Sequence, residues 1–85
     1  MTAQEWKFQV LVALAGDLHR LLRCTVTVVF KSWGDPVVLL PVRGGHHVTI
    51  MACREGPQGY FTWGRTRRVE VSPSAAWSIA EAVAR

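Results

Sequence analysis

Leu21-Leu22-Arg23-Cys24-Thr25-Val26-Thr27-Val28-Val29-Phe30 contains the change of hydrophobic period on which the fold turns. Up to Arg23, apolar residues recur every three to four positions. From Cys24 they alternate every two, and these are the periods of a helix face and a strand face respectively. Within the strand, Cys24, Val26, Val28 and Phe30 point one way, and Thr25, Thr27 and Val29 point the other. The alternation runs to residue 71, and residues 73–84 return to the longer period. The order is therefore helix, strands, helix.

Upstream, Thr2 and Glu5 form a T-x-x-E capping box, so the first helix should begin at Ala3. Phe8, Val10, Leu11, Leu14, Ala15, Leu18, Leu21 and Leu22 share one broad face. Leu11, Leu14, Leu18 and Leu22 should pack on Val26 and Val28. Gly16 falls on the opposite, solvent side, where it costs about 1 kcal/mol of helix stability.

Downstream, Ser32-Trp33-Gly34-Asp35-Pro36 is turn chemistry, and Val37–Val42 is a second strand whose Pro41 should mark an edge or a bulge. Arg43-Gly44-Gly45 turns the chain into a third strand, His46–Cys53. Glu55–Gly59 turns it again into a fourth, Tyr60–Trp63, which Arg68–Val71 either continues or follows as a short fifth. Ser72-Pro73 reads as an N-cap followed by proline at the first helical position. In the second helix Ala76, Ile79, Ala80 and Val83 form an apolar stripe, with Trp77 on its flank. Short connections favour an antiparallel meander. The expected fold is α+β: a four- to five-stranded antiparallel sheet flanked by an N-terminal and a C-terminal helix, in one domain over residues 1–85.

Composition sharpens this picture without naming a reaction. The chain has 85 residues, and a domain of that size buries only roughly 60–65 % of its unfolded surface. Four tryptophans, three phenylalanines and a tyrosine are many for so small a core. Apolar surplus of this kind collects in subunit interfaces, so we expect a homodimer. The net charge of +4 is carried mostly by arginine, and asparagine is absent, as codon bias in a GC-rich bacterial genome would produce. No apolar run approaches the ~20 residues of a membrane span. Apolar residues 10–15 belong to an amphipathic helix and not to a basic leader, so a cytoplasmic chain with Cys24 and Cys53 as reduced thiols is expected. A disulfide between them would require neighbouring strands.

The element order looks like that of class I secretion chaperones, small dimers that bind partner proteins. Tyr60-Phe61-Thr62-Trp63-Gly64-Arg65, with Ser72-Pro73-Ser74-Ala75-Ala76 after it, resembles uncharacterised small proteins of actinobacteria. Neither resemblance brings a catalytic residue.

Four groups of residues carry candidate chemistry. Arg65, Arg67 and Arg68 follow Tyr60 and Trp63, and cations beside exposed rings suit single-stranded nucleic acid. The ordinary alternative is a solvated loop guarding a sheet edge, and Glu70 nearby favours it. His47, Thr49, Met51 and Cys53 share a strand face, within reach of Cys24, but adjacent His46 and His47 diverge and the paired spacings of a zinc site are missing. A nucleophile–base set would have to be drawn from Cys24, Cys53, His19, His46, His47, Asp17 and Asp35, and no spacing selects one. Gly44 and Gly45 lack the strand–GxxxxGK–helix setting of a phosphate loop. Trp33, in a Gly/Pro turn, is a candidate interface anchor, alongside Thr25 and Thr27 on an exposed sheet face. The expectation is a small non-enzymatic protein-interaction module, dimeric, without metal or cofactor. The alternative is a nucleic-acid-binding accessory protein acting through Tyr60, Trp63, Arg65, Arg67 and Arg68.

Overall fold

A computed structural model describes residues 2–30, 34–64 and 66–83. Helix α1 spans Ala3–Leu22, followed by strands β1 (Thr27–Val29), β2 (Val37–Pro41), β3 (His47–Glu55), β4 (Gln58–Trp63) and β5 (Arg67–Glu70), and then helix α2 (Ala75–Val83). The strands form one antiparallel sheet in the order β1-β2-β3-β4-β5. The fold is α+β, with the fifth strand separate from the fourth.

Helix α1 starts where the capping box places it. Thr2 Oγ1 accepts from the Glu5 backbone N–H at 3.1 Å, satisfying one of the orphan donors of the first turn. It ends on Arg23 in the left-handed conformation (φ 52°), whose N–H donates to the His19 carbonyl. Helix α2 begins later than Ser72-Pro73 suggested. Pro73 lies inside a turn closed by Ala75 N–H donating to Ser72 O, and the first helical bond runs from Ser78 N–H to Ser74 O. Proline's fixed φ suits a turn interior as well as a helix start, which is why the sequence signal was off by two residues.

Register sorts the sheet into two faces. Val28, Val38, Ile50 and Trp63 form one cross-strand row, with Leu40–Val48 and Ala52–Phe61–Val69 beside it. All of these meet Leu11, Leu14, Ala15, Leu18, Ala76, Ile79 and Ala80 in a single core. Helix α1 rests on β1, β2 and β3, while α2 packs against α1 and β5, so both helices cover the same face. The stripes expected on both helices are the buried ones, except that Phe8 and Leu21 lie at the margin, each about two-fifths exposed.

Pro41 ends β2 at a local edge, as its missing N–H requires: β1 pairs only with Val37–Leu39, so the last residues of β2 have β3 alone beside them. The β3–β4 turn is only Gly56-Pro57, with Glu55 and Gln58 already paired across it. Gly56 takes φ 59° at the first turn position, the primed geometry that matches strand twist.

Gly59, read from sequence as part of a turn, is a strand residue. A Cβ there would lie 2.6 Å from Trp6 Cζ2. Trp6, in the first turn of α1, thus packs directly on the β4 backbone, and the Arg54 guanidinium lies 4.3 Å from the indole centroid.

Candidate functional site

The basic segment is divided by strand alternation. Tyr60 and Arg68 project from the face away from the helices, in register with Cys53–Glu70 and Met51–Thr62 neighbours. Trp63 and Arg67, paired with each other, belong to the helix side, where Trp63 packs against the core. Arg65 lies outside the described residues. The cations and rings read from sequence therefore do not line one track. Arg68 is also engaged: its guanidinium meets both Glu55 oxygens, at 3.1 and 3.4 Å, and stacks 3.9 Å from the Tyr60 centroid. Those contacts, the Glu55 hydrogen bond first and Tyr60 second, hold it above the ordinary arginine range.

The titratable groups are likewise dispersed. Asp17 pairs with Arg20. Asp35 accepts from Gln4 at 3.0 Å and pairs with Lys7 at 3.1 Å, tying the entry to β2 onto α1. His19 Nδ1 lies 2.7 Å from the Cys24 carbonyl, where it caps the chain leaving the helix. Cys24 packs on the core side, whereas Cys53 pairs with Tyr60 on the far face; both are free thiols. His47 is exposed at the end of β3 opposite Pro41, and His46 precedes it in the turn. Among the described residues no three His, Cys, Asp or Glu side chains converge on a common point. The candidate nucleophiles, bases and carboxylates each have a separate local setting.

What the fold does present is apolar surface. The sheet face away from the helices is uncovered among the described residues. It carries Thr27, Leu39 and Thr49 in one row and Val29 beside Val37 in the next, with Met51 two residues along from Thr49. Met51 is 40 % exposed. This half of the face has no charge; the other half holds Glu55, Gln58, Arg68 and Glu70. Thr25 and Thr27 are exposed at its β1 end, and Trp33 lies outside the described residues.

Sequence reasoning passed over two apolar features. Trp77 is 63 % exposed on the α1–α2 seam, beside a groove of about 330 Å³ lined by Asp17, Arg20, Leu21, Pro73 and Ala76. Its place on the flank of the helix stripe was the available signal. Phe30, expected to point inward with Val28, follows the last residue of β1, 60 % exposed and edge-on to Phe8 with ring centroids 5.0 Å apart.

No protein-family model matches the chain, and neither a curated protein nor a solved structure matches it. No described helix is long and apolar enough to cross a membrane.

Proposed function

We propose that the protein is a small non-enzymatic interaction module, dimeric and cytoplasmic, that binds a protein partner through the open face of its sheet. The observation that carries this is the uncharged field of Val29, Val37, Leu39 and Met51 on a face no helix covers. In a two-layer fold an uncovered sheet face ordinarily alternates to polar residues, and an apolar field on it is a binding surface. Glu55, Arg68 and Glu70 supply a polar rim on one side. The fitting partner offers an apolar segment with polar flanks, and a chaperone-like role falls within this reading. The free thiols suit a reducing compartment. Nucleic-acid binding is the weaker reading, because Tyr60 with Arg68 and Trp63 with Arg67 face opposite ways.

A photoreactive residue at position 51 tests the reading in the cells that make the protein. It should crosslink to one defined protein, and Leu39→Lys should abolish the crosslink while leaving the circular dichroism unchanged. Labelling no greater than from exposed position 43, or crosslinking only to a second copy of the chain, would refute partner binding by this face.

A further inference from the structure

Six large apolar side chains are exposed among the described residues, and three of them gather at one place. Phe8 (39 % exposed) and Val12 (44 %) lie one turn apart on α1, and Phe30 (60 %) meets Phe8 edge-on just past the end of β1. This is the β1 edge of the sheet. Strand β1 and the residues flanking it, Cys24–Phe30, contain no charged residue, whereas the opposite edge, β5, carries Arg67, Arg68 and Glu70. Charges on an edge strand guard it against pairing; an uncharged, β-branched edge is a template for another strand. Three ladder residues cannot hold a complex by hydrogen bonds alone, since stable interfaces bury about 800 Å² on each partner. The α1 flank above the edge supplies the remaining surface.

That flank has a direction. Glu5, Phe8, Val12 and His19 follow one another at helical spacing along one side of α1, on which Phe8 meets Phe30 and His19 meets the Cys24 carbonyl, and Arg23 stands just beyond the helix as its left-handed C-cap. The flank is acidic at its N-terminal end, apolar in the middle and basic at its C-terminal end. Among the described residues neither Glu5 nor Arg23 is in an ion pair.

We infer that the β1 edge and the α1 flank together are a self-association surface, and that its occupant is a second copy of this chain. A two-fold axis normal to the sheet pairs β1 antiparallel with the partner's β1 and joins two five-stranded sheets into one. The same operation runs α1 antiparallel to the partner's α1. The apolar middles then meet, and Glu5 faces the partner's Arg23 at both ends. A foreign extended peptide would satisfy the strand edge but leave Phe8, Val12 and the opposed charges unanswered. A copy answers both because one operator relates strand to strand and helix to helix. This inference rests on the dimeric part of the reading above and is independent of partner capture by the open sheet face.

Sedimentation velocity across a concentration series tests it on the full chain. The wild type should dimerise at micromolar concentration. Phe8→Arg and Val12→Arg, at positions already exposed, should raise the dissociation constant at least roughly tenfold with helix content retained. Glu5→Arg and Arg23→Glu should each weaken the dimer, and the double swap should restore it. Met51→Arg and Trp77→Arg should leave it unchanged. A wild type monomeric at hundreds of micromolar removes dimer and surface together, while crosslinking from position 51 still judges partner binding separately. A dimer that ignores the α1 flank variants, or that Met51→Arg or Trp77→Arg breaks instead, overturns this surface and leaves the dimer standing.

Discussion

Glycine illustrates at single positions how much a residue's meaning depends on what is brought against it. Gly16 sits mid-helix on the solvent side, and an added Cβ would meet only Arg20, at 3.8 Å. Its backbone is ordinary helix, so Gly16→Ala should stabilise the protein by about 0.5–1 kcal/mol through lower unfolded-state entropy and better propensity, read as a higher midpoint in urea. Gly59 is the opposite case. Its neighbour is the Trp6 ring, too close for any Cβ, so Gly59→Ala should cost about 1–3 kcal/mol by overpacking. Combining it with Trp6→Leu should recover part of that cost, because the two residues share one contact and their effects should not add. Additivity of the two changes would mean that Gly59 is needed for some reason other than the ring. The sequence could place Gly16, whose role is local. It could not place Gly59, whose role comes from a residue 53 positions earlier.

Elements show where periodicity suffices and where it stops. Helix α1 buries Leu18 completely, between the inward residues of the sheet and the rest of the core. Leu18→Ala should cost about 2–5 kcal/mol, a large share of what so small a domain has, and thermal denaturation should show it directly. Near-wild-type melting would mean the buried face lies elsewhere. By contrast, Arg68→Ala breaks a pair whose side chains are 47 % and 62 % exposed and should leave the melting temperature nearly unchanged, the more so in high salt. The helix stripes, the strand alternation and the capping box were legible because each is set by neighbours within a few residues. The assignment of Arg67 and Arg68 to opposite faces follows from period two, once β5 is known to be a strand and not a loop. Reading residues 65–68 as a loop made them look like one cluster. The exposed apolar surface was illegible for a different reason. A chain with two helices and five strands can bury only one side of the sheet, and which apolar residues remain outside depends on where the helices come to rest. Phe30 continues a pattern that looks buried from sequence and ends up exposed because β1 stops at Val29, whereas Trp77 is exposed because it lies on the flank of the α2 stripe.

At the scale of the whole molecule, charge tells against nucleic acid more strongly than composition suggests. A net charge of +4 would steer any polyanion if its arginines shared a surface. Among the described residues they are dispersed: Arg20 and Arg68 pair with Asp17 and Glu55, Arg54 covers Trp6, and Arg67 lies on the helix side of the sheet, where it lines a hollow together with Ser78 and Glu81. A single strand following one face would neutralise few phosphates at once, and the number of phosphates neutralised sets both affinity and salt dependence. Stacking would also fail to add, because Trp63 is partly buried against the core on the helix side and the Tyr60 ring is already covered by Arg68 on the other. Binding of a labelled single-stranded oligonucleotide in 150 mM salt should therefore be no tighter than the non-specific range of about 10⁻⁴–10⁻⁶ M. Arg67→Ala and Arg68→Ala should alter whatever remains at low salt only slightly, and independently of each other, as expected for sites on opposite faces. A dissociation constant well below that range, lost on Arg68→Ala together with Tyr60→Ala, would mean that the nucleic acid displaces Glu55 from Arg68. The open face of the sheet would then be a polyanion surface and not a protein-binding one.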